Sequence, residues 1–455
     1  MLGVASATAW EGDTRRMPDQ SDPTAALPSA ANGDAGHARD HANDWRTLLV
    51  IFLLAGVVES QAFGHLNAFR PLFLQQLGVP LSEVAFWTGI LASLGFVIGL
   101  PLLPFWGVWA DRYSRKLIIV RSAYIEGVIF SLAAFSPNVW FLALAQLLGG
   151  FVFGNTGVML AMLADTTPRK RLGMVVGIVS AGFPIGSSVG PLLGGYVAQT
   201  FGIRPLLFGD AVASALMGVV MTLIVHEEKR LYATQARVGQ LLRRALDDII
   251  SSRLIVGLFG LYFLAMFGIT LYQQFLPILL QKLDTGPIRL LPSMIGATLT
   301  ASGIAMAIAT PLWGRLGDVI GRWRVLPVIL AAGSLGIVAE GLVPRLFPLQ
   351  VSIVWVSLFY AGIGPTVVAL LALLAPEERR ASILNFSLLP SQLSWFVGPL
   401  IGAALASAAL RLPFFAGAVA QGAALVVALL LARRIARHSQ PGQPSAEQPR
   451  EQAAV

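Results

Sequence analysis

Between residues 46 and 436 the chain is built of apolar runs of about twenty residues or more, each ended by a short cluster of charge. A run of that length crosses the hydrocarbon core of a bilayer as a helix, and in lipid only helices and closed barrels satisfy their own backbone. The runs are too long for strands, so they read as helices. Twelve are counted, near 46–76, 84–109, 117–136, 139–164, 172–199, 204–225, 254–281, 290–313, 325–343, 349–374, 382–408 and 412–434. The composition is 55% hydrophobic and only 12% charged, against roughly a quarter charged in soluble domains. The flanks differ. Residues 1–45, rich in Ala, Pro, Gly, Asp and Ser, read as a disordered tail and not as a cleavable signal, and residues 437–455 read as a second disordered tail.

Basic residues gather in alternate loops. Arg112, Arg115 and Lys116 share one, Arg169, Lys170 and Arg171 another, and the 226–253 segment carries Lys229, Arg230, Arg237, Arg243, Arg244 and Arg253. Arg315, Arg322, Arg324, Arg379, Arg380, Arg433 and Arg434 fall on the same side, while the other loops hold a scatter such as Arg204, Lys282, Arg289 and Arg345. The positive-inside bias makes the rich side cytoplasmic, with both termini, in a multi-pass protein of the cell membrane. The net charge of +8 then needs no nucleic-acid partner, because anionic headgroups of membrane lipids are its natural counter-charge. Cysteine is absent, which excludes disulfides, thiol nucleophiles and thiolate metal sites.

The chain also repeats itself. "FRPLFLQQLG" at 69–78 returns as "FLPILLQKLD" at 275–284, and "VGPLLGG" at 189–195 as "VGPLIGA" at 397–403. "PFWGVWADRYSRK" from Pro104 returns as "PLWGRLGDVIGRWR" from Pro311. A near-constant shift of 206 to 208 residues describes two parallel six-helix halves, 46–225 and 254–436, joined by a polar cytoplasmic linker, 226–253.

Motif, spacing, sidedness and duplication together resemble the major facilitator superfamily, close to its drug:proton antiporter branch. That family's loop pattern between helices 2 and 3 is matched by Gly107, Asp111, Arg112, Arg115 and Lys116, and its fainter copy between helices 8 and 9 by Gly314, Asp318, Gly321 and Arg322. The resemblance implies an all-α membrane fold of two pseudo-symmetric six-helix bundles that alternate access to a central cavity. It also implies that this loop is a latch holding the outward-facing state. Asp111→Asn is accordingly expected to abolish transport without impairing membrane insertion; unchanged flux would refute the latch. In helix 5, Gly186, Gly190, Pro191, Gly194 and Gly195 match the pattern of the family's exporter branch. Glycines four apart permit close helix approach, and proline bends the helix, so the segment reads as a pivot or seal.

Coupling to protons requires a group that titrates within the membrane, where ionisable side chains are costly and functional by default. Glu59, near the middle of the first run, is the leading choice; helical spacing groups it with Phe63, Leu66, Asn67 and Arg70. Glu126, Arg121, Asp210 and Glu340 are further intramembrane charges, read either as coupling groups or as satisfied pairs, and Arg121 is one conceivable partner for Glu59. His65 points away from Glu59 and reads as a hydrogen-bonded packing residue. The repeat aligns Asn67 with Gln273, and with Phe63, Tyr262 and Tyr272 these amides are expected to line an apolar pocket. One departure is plain. Where the family's exporters carry an arginine in helix 4, this chain offers Ala145 or Gln146.

These readings predict a secondary transporter, not an enzyme, with protons and a lipophilic small molecule as partners, no cofactor or metal, and a monomeric state. Uptake of a small metabolite is the alternative within transport. A transport-inactive membrane sensor is the alternative outside it.

Overall fold

The computed structural model describes residues 44–226, 239, 243, 247–250 and 252–438. The expected N-terminal tail before Asp44, most of the linker, the C-terminal tail, and the side chains of Gly107 and Asp111 lie outside the described residues. Among the described residues twelve helical spans follow one another. Span 1 is Trp45–Gln76, span 2 Leu81–Arg112 and span 3 Arg115–Ala134. Span 4 comprises Val139–Leu148 and Asn155–Thr166, span 5 Leu172–Ser180 and Gly182–Thr200, and span 6 Ile203–Ile224. Span 7 comprises Arg253–Gln273 and Leu276–Leu283; span 8 is Leu291–Leu316, span 9 Arg322–Leu342 and span 10 Leu346–Leu374. Span 11 is Leu389–Ala408, preceded by a short helix Arg380–Asn385, and span 12 is Leu412–His438. Spans 8 and 9 run on through a π-helical turn, 317–321.

Side chains at the span starts explain several boundaries. Ser114 accepts from the Leu117 amide at 2.9 Å and Asn138 from the Phe141 amide at 3.0 Å, so orphan donors at those helix N-termini are satisfied. The connection between spans 2 and 3 is thereby reduced to Tyr113 and Ser114; the chain does not turn at Gly107, as its place in the motif suggests, but stays helical to Arg112. At the opposite end the repeat shows itself in a pair of caps. Arg204 donates to the Ala134 and Ser136 carbonyls closing span 3, at 2.9 and 2.8 Å. Arg411 does the same for Leu342 and Val343 closing span 9, at 3.3 and 3.1 Å.

The buried side chains show how the two bundles meet. Near the end that carries the basic loops, one apolar cluster draws only on spans 1 to 6 (Phe52, Ile119, Leu163, Val175) and another only on residues from 249 onward (Leu258, Leu330, Val367, Ala428). Toward the opposite end a single cluster includes both bundles, placing Phe73, Leu74 and Val84 with Tyr272, Leu279 and Ile295. The bundles are thus fused at that end and hold separate cores at the basic end. Span 5 lies on span 8 there: a Cβ at Gly195 would stand 2.7 Å from the Pro292 carbonyl, and Ser293 donates to the Gly195 carbonyl at 3.2 Å. Gly89 of span 2 is likewise pressed against Pro399 and Ala403 of span 11.

Candidate functional site

The functional chemistry of the first bundle begins with a broken helix. Span 4 stops being α-helical at Gly149, passes through a 3-10 turn to Val152, and restarts at Asn155 after Gly154, whose φ of +92° suits glycine. Arg121 of span 3 holds the break: its guanidinium lies 3.5 Å over the Trp106 ring and donates to the Phe153 carbonyl at 3.2 Å. A Cβ at Gly154 would stand 2.6 Å from that of Trp106, so the tryptophan leaves room for glycine only. A fresh helix N-terminus, the positive end of a helix dipole, is therefore set inside the membrane.

Glu59 faces it. Asn155, the first residue of the restarted helix, donates to the Glu59 carboxylate at 2.8 Å. The partner of Glu59 is thus this amide and not Arg121. Glu126 of span 3, 3% exposed, lies within electrostatic range of Glu59 and against Ser214 of span 6, whose buried hydroxyl has no other partner. Among the described residues no Arg, Lys or His pairs with Glu59 or Glu126. Two acidic side chains are thus set close together in the first bundle with no counter-ion among the described residues. At the position where an arginine was missed, Gln146 is buried and reaches the Leu91 carbonyl at 3.4 Å, while Ala145 is fully packed. Asn155 was not foreseen. The glycines at 149, 150 and 154 were its signal in the sequence, since they mark where a membrane helix can restart.

Asp210 is one turn from Ser214 on span 6, and it meets His65: the imidazole Nδ1 lies 3.0 Å from both carboxylate oxygens, and Nε2 lies 2.7 Å from the Gly190 carbonyl. The exporter-like glycines make room for this. Gly186 faces Val57 and Ser60, Gly190 faces Gln61, and a Cβ at Gly194 would stand 2.5 Å from His65 Nε2. Pro191 turns its carbonyl toward Gly296 of span 8, and Gly195 completes the contact with Ser293. The segment seals two helices at once, span 1 on one face and span 8 on the other. Gly194→Val should cost about 1–3 kcal/mol through overpacking against the imidazole, read as a lower Tm of the detergent-purified protein. An unchanged Tm would show that the ring has space to move.

The other expected site residues are placed apart from one another. Arg70 donates to Asn67 at 2.7 Å and to Gln274, next to the expected Gln273, at 3.3 Å, which ties span 1 to span 7. Phe63 packs edge-on against Phe130 at 5.4 Å, Tyr262 belongs to the basic-end cluster of the second bundle, and Tyr272 lies against Phe414 at 4.8 Å in the fused cluster. Phe63 also packs against the fused cluster that holds Tyr272, while Tyr262 lies toward the basic end. Gln273 keeps a buried carbonyl oxygen without a partner, and Glu340, 1% exposed, lies against the Tyr272 hydroxyl. In the motif loops, Arg115 bonds Asp165 at 2.6 Å, Lys116 donates to the Thr222 carbonyl at 2.7 Å, and Arg322 bonds Asp318 at 2.5 Å, each within a single bundle. Arg112 is exposed beside Tyr113, and Gly314 has open space around it.

Comparison with known proteins follows the same lines. The profile of the Major Facilitator Superfamily matches residues 52–291 and 258–454. "Multidrug resistance protein MdtG" of Yersinia enterocolitica is 29% identical over 372 residues, covering 80% of this chain and 87% of its own length. The protein of that name from Escherichia fergusonii is 28% identical over 375 residues, covering 81% and 90%. Among solved structures, a bacterial homolog of the human lysosomal transporter Spinster, inward-facing and unoccupied, superposes with a TM-score of 0.70 at 15% identity, covering 88% of this chain and all of its own. The nucleoside transporter NupG does so with a TM-score of 0.70 at 13% identity, covering 86% and 99%. With both halves of the chain matched and twelve spans in two bundles, this multi-pass membrane protein belongs to the Major Facilitator Superfamily.

Proposed function

We propose that the protein is a proton-driven exporter of lipophilic small molecules in the cell membrane, with both termini and the 226–253 linker in the cytoplasm. The observation that carries the reading is Glu59, set within span 1 against the restarted helix of span 4 and beside Glu126, with no cation paired to it. A carboxyl group so placed holds a proton in one state and releases it in another. The relatives named for multidrug resistance support the export direction and the lipophilic cargo. On this reading the separate cores at the basic end belong to a transporter open to the cytoplasm, and the fused cluster is its outer gate. Lys116 and Arg322 of the latch motifs bond within their own bundles. The protein works as a monomer, surrounded by membrane lipids that balance its basic face.

The test is transport in inside-out vesicles under an imposed proton gradient, with a panel of lipophilic dyes. Accumulation that a protonophore abolishes is the expected result. No accumulation by folded protein would overturn the export reading and favour a metabolite carrier.

A further inference from the structure

The His65–Asp210 pair is not explained by packing alone. It is almost completely buried, at 1% and 5% exposure, and it joins three helices: His65 on span 1, Asp210 on span 6 and the Gly190 carbonyl on span 5. The hydrogen-bond chemistry fixes how many protons the pair must hold. A carbonyl only accepts, so Nε2 at 2.7 Å from the Gly190 oxygen carries hydrogen. Nδ1 stands equally distant, 3.0 Å, from both oxygens of Asp210, the arrangement of one N–H shared by an ionised carboxylate. With Asp210 ionised, both ring nitrogens must donate; with the proton on an Asp210 oxygen, that O–H donates to Nδ1 and both bonds are kept as well, so in either form the pair holds one proton more than a neutral ring beside a carboxylate. A neutral ring beside an ionised Asp210 can keep only one of the two bonds. If Nδ1 loses its hydrogen, a lone pair faces the carboxylate and span 1 parts from span 6; if Nε2 loses it, a lone pair faces Gly190 and span 1 parts from span 5.

The place of that second bond gives it consequence. Gly190 stands beside Pro191, whose carbonyl faces Gly296 of span 8, and one turn before Gly194 and Gly195. The same stretch of span 5 therefore touches the His65 ring on one side and forms the seal between the bundles on the other. The pair is also not isolated from the first carboxylates. From Asp210 the next turn of span 6 brings Ser214, which faces Glu126, which lies within range of Glu59. Other charge near the pair is sparse: the one titratable side chain of the Gly182–Thr200 helix, Tyr196, is exposed, and Arg204 of span 6 is committed to capping span 3.

We infer that His65 and Asp210 form a second proton-binding site, outward of Glu59 along span 1, whose bound proton holds the bundles closed at the end opposite the basic loops. The inference rests on the exporter reading for its role in transport, but the bound proton itself does not. Two measurements separate them. In full-length protein labelled with nitrogen-15 in histidine and carbon-13 in aspartate, the resonances removed by His65→Gln and Asp210→Asn should together show the one extra proton on the pair at neutral pH, as two protonated ring nitrogens or as one beside a carboxylic acid; a bare ring nitrogen beside an ionised Asp210 overturns the site. In Asp210→Asn the amide can donate to a neutral Nδ1 while Nε2 keeps Gly190, so the extra proton should be lost while the ring, neutral, keeps its place. Proton-driven accumulation of dye by that variant should then fall by roughly 100-fold, the lower range for loss of an obligatory proton-transfer group. Wild-type accumulation by Asp210→Asn with a neutral ring overturns the coupling role alone. Absence of accumulation by the wild-type protein would sink the exporter reading and the coupling role with it, and the nitrogen and carbon spectra would still decide whether the proton is bound.

Discussion

Replacing Glu59 with glutamine is expected to lower proton-driven accumulation in inside-out vesicles by roughly 100-fold, the lower range for loss of an obligatory proton-transfer group. The substitution is nearly isosteric. Asn155 donates to a carboxylate oxygen of Glu59, and a glutamine carbonyl accepts the same bond. The restarted helix of span 4, braced separately by Arg121 and Trp106, has no reason to move. What disappears is the ability to exist in a charged form, and with it the difference between the two states that a proton gradient can drive. Dye bound from the cytoplasmic side should still be displaced by competing dye, because the glutamine preserves shape and hydrogen bonding. Accumulation by Glu59→Gln at the wild-type level would remove Glu59 from the coupling path and leave Glu126 and Asp210 as the groups to test.

Much of this was legible before any coordinates, and for a physical reason. Apolar runs of membrane length leave the backbone one economical structure, and a constant shift between landmarks dictates two related bundles. Glu59 could be chosen because a charge in a membrane helix is rare and seldom idle. The partners could not. Glu59–Asn155 and His65–Asp210 are separated by 96 and 145 residues, and contact between distant helices depends on rotation and tilt that no single helix records. Phe63, Tyr262 and Tyr272 are one apolar kind in sequence, yet Phe63 and Tyr272 pack in the fused cluster and Tyr262 in the core at the basic end. Arg204 looked like stray charge in an outer loop. Its function as a cap for span 3, duplicated by Arg411 at span 9, was written in the 207-residue repeat.

The repeat leads to a second large effect. Gln75 at the end of span 1 and Gln281 in span 7 are equivalent positions, 206 residues apart, and their amides bond each other reciprocally, at 2.9 and 3.0 Å. Equivalent residues of two related bundles can meet in this mutual way only near the pseudo-two-fold axis, and these meet at the fused end. Two neutral hydrogen bonds contribute only about 1–3 kcal/mol together, enough to bias a gate and too little to bar its opening. A covalent link there would bar it. The chain has no cysteine, so Gln75→Cys/Gln281→Cys supplies the only two thiols, and a short bis-methanethiosulfonate joins them across the span of the former amides. Crosslinked protein is expected to accumulate dye no better than empty vesicles, and to recover when dithiothreitol cleaves the link. Each single cysteine treated in parallel should transport normally, which separates locking from modification. Full transport by the crosslinked protein would mean that spans 1 and 7 never part at this end, and the fused cluster would then be a fixed joint instead of a gate.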